Sequence, residues 1–83
     1  MTLDDLMQAE KRTVGVKQTE KAVTKELAAK VFVAKDADER VTEKLKELCE
    51  EKAVSLVQVE TMYELGKACG IHVKAAAAAI LKS

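Results

Sequence analysis

The 83-residue chain carries fourteen basic and fourteen acidic side chains, no proline, one phenylalanine and one tyrosine. A chain this short has room for one compact domain, and its zero formal charge excludes the global positive field of a nonspecific nucleic-acid coat, so any RNA or DNA binding must be local. Cys49, Cys69 and the lone His72 cannot complete a four-ligand zinc set, no window approaches the roughly 20 apolar residues of a membrane span, and the acidic start Met1-Thr-Leu-Asp-Asp5 does not read as a secretory signal.

The expected setting is the cytoplasm, where two unpaired cysteines stay reduced. Leu3, Leu6 and Met7 recur at helical spacing behind Thr2, a capping residue, and Asp4 and Asp5 suit the positive first turn, which predicts a helix over residues 3–11. A short strand follows at Arg12-Thr-Val14 and ends at Gly15. From Val16 to Leu27 the mixture of Lys, Gln, Glu and Ala favours a second helix. Val31-Phe-Val-Ala34 is an apolar, β-branched run bounded by charges, the pattern of a strand buried on both faces, and Asp36-Ala-Asp38 closes it. Val41, Leu45 and Leu48 then mark one stripe of a third helix beginning near Glu39, whose other face carries Glu43, Lys46, Glu47 and Glu50.

Ser55-Leu-Val-Gln-Val59 reads as another strand, and Met62, Leu65 and Cys69 outline a short fourth helix that ends at Gly70. Residues 71–74 form a loop. Alanine propensity favours helix for Ala75–Ala79 with Ile80 and Leu81, whereas the global alternation requires a strand; the end of this run is assigned to a strand. The class is α/β: a three-layer α/β/α sandwich around a mixed sheet of four strands, with residues 1–83 as a single domain.

One constellation carries possible chemistry. Gly15 stands before a helix whose first turns hold Lys17, Gln18 and Lys21, and free N–H groups at such a terminus attract phosphate oxygens. Lys17 and Lys21 share a face, while Gln18 offers an amide to a base edge. A solvated amphipathic helix has the same composition, so these residues alone do not decide. The glycine pattern lacks the Gly-Lys-Ser/Thr ending of a phosphate-binding loop for nucleotide hydrolysis. Asp36 and Asp38 lie at a strand end but have no nucleophile or base beside them, and are assigned to the turn and to capping the third helix. Tyr63 and His72 could each stack on a base; for Tyr63 the structural alternative is a ring packed on the domain with its hydroxyl in water. Cys49 and Cys69 occupy apolar helix positions as small core residues.

Two segments, Gly15-Val-Lys-Gln-Thr-Glu-Lys-Ala-Val23 and Leu65-Gly-Lys-Ala-Cys-Gly-Ile71, with Val33-Ala-Lys-Asp-Ala-Asp38 between them, carry a resemblance. The chain resembles the ribosomal kink-turn RNA-binding family, that is, the archaeal ribosomal large-subunit protein "seven-Ae" and its relatives, as a short bacterial member. The likeness covers almost the whole chain. It implies an α/β/α sandwich with a four-stranded mixed sheet, and a target: the kink-turn, an RNA duplex bent sharply at a bulge beside sheared G·A pairs.

By position, the resemblance implies that Lys17, Gln18 and Lys21 reach guanine edges in the opened major groove. The N–H groups of Gly15 and Val16 then lie near phosphate, and Ile71, His72 and Val73 cover the flipped bulge nucleotide. Archaeal and eukaryotic members commonly have Asn and Glu where this chain has Lys17 and Gln18. A neutral amide accepts less strongly than a carboxylate, whereas the added lysine steepens the salt dependence. His72-Val-Lys74 also replaces their Ser-Arg-Pro run. No enzymatic role, cofactor or metal is implied. The expected partners are kink-turn RNA, in ribosomal or structured regulatory RNA, and the ribosome; no membrane is involved, and the chain is expected to act as a monomer. The alternatives are a protein-interaction module of a ribonucleoprotein, and a small enzyme using Asp36, Asp38 or His72.

Overall fold

The computed structural model describes residues 2–71 and 73–82, with side chains from Asp5 onward. In chain order the elements are α1 (Thr2–Gln8), β1 (Arg12–Val14), α2 (Val16–Thr24), β2 (Ala28–Ala34), α3 (Glu39–Lys52), β3 (Ser55–Val59), α4 (Met62–Ala68) and β4 (Ala77–Leu81). The strands form one sheet in the order β1-β4-β2-β3. β4 runs antiparallel to both β1 and β2, and β2 runs parallel to β3, so the sheet is mixed.

Period-two alternation sorts the side chains of the central strands onto two faces. Val31, Val33, Ala77 and Ala79 meet Ala22 and Val23 of α2 and Leu45 and Cys49 of α3. Phe32, Ala34 and Ala78 meet Leu6 of α1, Leu65 and Ala68 of α4 and Cys69 at its C-cap. Two helices therefore cover each face, which gives the three-layer α/β/α sandwich. The residues from Val31 to Ala34 are at most 1% exposed, in keeping with a strand covered on both sides. The alanine run resolves in favour of the strand: Ala77, Ala78 and Ala79 are fully buried between β1 and β2, where pairing on both edges outweighs helix propensity.

Three boundaries differ from the sequence expectation. The first helix stops at Gln8 rather than near residue 11, because Arg12 is drawn into pairing with Ile80 and the Leu81 N–H donates to the Lys11 carbonyl at 2.9 Å. α2 stops at Thr24; Glu26 takes the left-handed conformation at φ 59°, and its N–H bonds the Val23 carbonyl at 3.0 Å. β2 begins at Ala28 rather than Val31, since Ala28 pairs with Leu81. The side-chain roles expected of Thr2, Leu3 and Asp4 lie outside the described residues.

The two aspartates divide their work. Asp38 caps α3, accepting from the Arg40 N–H at 2.9 Å, and the Arg40 guanidinium bonded to it lowers its pKa. Asp36 instead accepts from the Met62 N–H at 2.8 Å, so it caps α4 across the turn, alongside Thr61, whose hydroxyl accepts from the Glu64 N–H at 3.0 Å. Cys49 and Cys69 are buried, and burial pushes both thiols up, which keeps them protonated at neutral pH.

Thr19 is the buried polar exception among the described residues. Its side chain is fully buried on the inner face of α2, and its hydroxyl has no hydrogen-bond partner among them. An unpaired buried hydroxyl costs about 1–3 kcal/mol, so Thr19→Val, which keeps the shape and removes the hydroxyl, is expected to raise stability by about 1 kcal/mol. Urea unfolding checks this, and a lower midpoint would show that the hydroxyl is satisfied in solution.

Candidate nucleic-acid interface

The carboxyl ends of β1, β2 and β3 and the start of β4 share one edge of the sheet. Backbone bonds tie the connections there together: the Gly15 N–H donates to the Ala77 carbonyl at 2.8 Å, the Ala34 N–H to Ala76 at 3.0 Å and the Lys35 N–H to Val59 at 2.7 Å. Lys35 and Glu60 add an ion pair between two of the connections at 3.1 Å. Sequence-distant loops are thus fixed beside one another, the arrangement by which α/β folds build binding sites.

Gly15 is the N-cap of α2, at φ 105° and ψ 153°, and contributes no side-chain cap. A glycine suits the position because that φ strains any L side chain, and the volume a Cβ would occupy is open. Since the Gly15 N–H is taken up by Ala77, the donors left at the helix start are those of Val16, Lys17 and Gln18; the first intrahelical bond is that from the Thr19 N–H to the Gly15 carbonyl, at 3.0 Å. Half-buried Val16 packs against the α2–α3 core and anchors this turn.

Lys17, Gln18 and Lys21 are all exposed on α2. Gln18 and Lys21 line a shallow groove between α2 and the sheet, together with Thr13 and Lys25. Lys17, Lys21 and Lys25 line an adjoining depression together with Glu20 and Thr24. Lys25 was not among the residues singled out from the sequence, although the four-residue spacing from Lys17 through Lys21 is the signal that finds it. Glu20, which borders the same depression, also pairs with Lys44 of α3 at 3.6 Å.

The other part of the expected surface follows α4. The Ile71 N–H donates to the Gly66 carbonyl at 3.1 Å, and the Ala75 N–H to Met62 at 3.1 Å, so the loop lies back along the helix it leaves. Gly66 permits this approach: an added Cβ would collide with the Val73 carbonyl oxygen. Ile71 is half-buried and Val73 is 69% exposed, so one side chain anchors the loop while the other faces outward. His72 lies outside the described residues. Through the Gly15–Ala77 bond, the start of α2 and the loop leading into β4 are brought to the same edge, α2 on one face of the sheet and α4 on the other.

Arg12, which the sequence reading passed over, lies at the other end of β1, paired with Ile80, and ties down the exit from α4 where the loop begins. Its guanidinium donates to the Leu6 and Met7 carbonyls at 3.0 and 3.1 Å and to the Cys69 carbonyl at 3.2 Å, so one cation closes the C-terminal ends of both α1 and α4. Gly70, at φ 76°, provides the left-handed exit from α4.

A profile of the ribosomal protein L7Ae/L30e/S12e/Gadd45 family matches residues 1–83. An RNA-binding protein of Caldanaerobacter subterraneus subsp. tengcongensis is 56% identical over 69 residues, covering 83% of this chain and 84% of the relative. An RNA-binding protein of Bacillus pumilus is 44% identical over 81 residues, covering 98% and 99%. Among solved structures, the Giardia lamblia 15.5kD RNA binding protein superposes with a TM-score of 0.88 at 30% identity, covering 99% of this chain and 72% of that one.

Proposed function

From membership of the ribosomal protein L7Ae/L30e/S12e/Gadd45 family, to which this chain belongs as an RNA-binding protein, we propose that its target is a kink-turn and that it stabilises the bent RNA by binding that state in preference to the straight one. The observation that carries the reading is the start of α2. Lys17, Gln18 and Lys21 are exposed behind a capless glycine turn, on the same sheet edge as the loop that holds Ile71 and Val73.

The chemistry follows from the donors. A kink opens the major groove that A-form RNA otherwise closes to side chains. Lys17 and Lys21 then donate to guanine O6 or N7, and the Gln18 amide meets a base edge. The N–H of Val16 and the positive end of the helix dipole face a phosphate, with Gly15 keeping the approach open. Ile71, His72 and Val73 cover the displaced bulge nucleotide. Residues 1–83 act as one such domain, as a cytoplasmic monomer without cofactor or catalytic role, on ribosomal or structured regulatory RNA.

The test is binding of the purified protein to a labelled kink-turn duplex, beside the same duplex with its G·A pairs replaced, at physiological salt. Selective binding is expected, and Lys21→Ala is expected to weaken it at least about tenfold, within the range of one good base contact. Equal or absent binding to the two duplexes would replace this reading with that of a protein-interaction module of a ribonucleoprotein.

A further inference from the structure

An open cleft of about 760 Å³ lies between α4 and the loop that follows it, lined by Tyr63, Lys67, Gly70, Ile71, Val73 and Lys74. It lies on the sheet face opposite α2 and its lysines. Tyr63 and Lys67, four residues apart, fall on one side of α4, so the ring and the ammonium group border the same space. Contrary to the packed ring that the sequence suggested, Tyr63 is 65% exposed, and Val73 opposite it is 69% exposed. No described lining residue is acidic, and neither Lys67 nor Lys74 forms an ion pair among the described residues.

An exposed aromatic face flanked by two cations without carboxylates suits a ligand that is flat, apolar and anionic at once. We infer that this cleft holds an unpaired nucleotide of the bound RNA, its base stacked on Tyr63 and its phosphate held by Lys67 and Lys74. The inference rests on the chain binding RNA and not on the target being a kink-turn. Continuity supports it, because Ile71 and Val73 belong to the loop already assigned to RNA. A strand leaving that loop on the α4 side enters the cleft. An acidic peptide matches the two cations but makes little use of the ring face.

Tyr63 is the only tyrosine and the chain has no tryptophan, so near-ultraviolet emission reports on this cleft alone. The experiment titrates the intact protein with a short single-stranded oligoadenylate, with oligoglutamate and inorganic phosphate as comparison probes. Oligoadenylate is expected to quench the emission. By anisotropy of a labelled strand, Tyr63→Ala is expected to weaken binding about tenfold, Tyr63→Phe to stay within about twofold, and Lys67→Ala with Lys74→Ala to weaken it and flatten its salt dependence. Absence of quenching, a Tyr63→Ala variant that binds like the parent, or equal binding of oligoglutamate would each overturn the assignment. Lys21→Ala separates this inference from the kink-turn reading. It should lower kink-turn binding and spare the oligoadenylate; equal losses from Lys21→Ala and Tyr63→Ala would place the strand on α2 and overturn the cleft.

Discussion

Gly66→Ala is expected to lower stability by about 2 kcal/mol and to weaken RNA binding in the same variant. The added methyl meets the Val73 carbonyl, a backbone atom that cannot turn aside as a side chain would. Overpacking of this kind costs about 1–3 kcal/mol or more, while the helix-propensity advantage of alanine over glycine returns at most about 1 kcal/mol. The easiest relaxation lifts the loop from α4 and stretches the bond from the Ala75 N–H to the Met62 carbonyl, 3.1 Å in the intact protein. That relaxation moves Ile71 and Val73. Urea unfolding and RNA binding measured on the same sample check the coupling; an unchanged unfolding midpoint would show that the loop is not seated on Gly66.

Arg12→Leu is expected to cost a similar amount, about 2–3 kcal/mol, through two helices at once. Hydrogen bonds to a charged group contribute about 1.5–3 kcal/mol each when well shielded, and partial exposure of this site discounts their sum. The substitution leaves the Leu6, Met7 and Cys69 carbonyls without the guanidinium that joins them. Arg12→Lys is expected to recover only part of the loss, since one ammonium group does not reproduce the planar fork that reaches both helix ends. Amide hydrogen exchange gives the sharper readout: protection should fall in α1 and in the last turn of α4 together. Loss confined to one helix would mean that the two ends are not coupled through this side chain.

The fold was legible wherever burial and periodicity agreed. The Val41, Leu45, Leu48 stripe announced α3, whose Leu45 and Cys49 are buried, and the run from Val31 to Ala34 announced a strand covered on both faces. Boundaries fixed by distant partners were not legible. Nothing local stops α1 at Gln8 or starts β2 at Ala28; the pairings of Arg12 with Ile80 and of Ala28 with Leu81 do so. Asp36 appeared to belong to the helix next to it in sequence, yet it serves α4, because an Asx cap depends on which N–H is near in space.

The candidate site shows the same division. Gly15, Lys17, Gln18 and Lys21 were readable as a unit because a helix start is a local event with a fixed spacing. That Gly15 keeps no free N–H was not readable, since its acceptor, Ala77, belongs to the last strand. Arg12 carried no signal at all: its role depends on two carbonyl clusters that only the tertiary fold assembles. Gly66 lies inside a segment recognised by resemblance, but its reason, the passage of Val73 across α4, is visible only in three dimensions.

The place of β4 in the sheet has a consequence for how the molecule comes to exist. It follows every other strand in the chain, yet it lies between β1 and β2, which have no direct pairing with each other. During synthesis, β1 and the inner edge of β2 therefore wait with open hydrogen-bonding rims until residues 77–81 have left the ribosome. Only a strand of near-minimal side-chain bulk, Ala77 to Ala79, then has to slide between two helical layers. Completion of the sheet therefore depends on the strand that comes last in the chain, and pairing across such a sequence separation is slow relative to local helix formation.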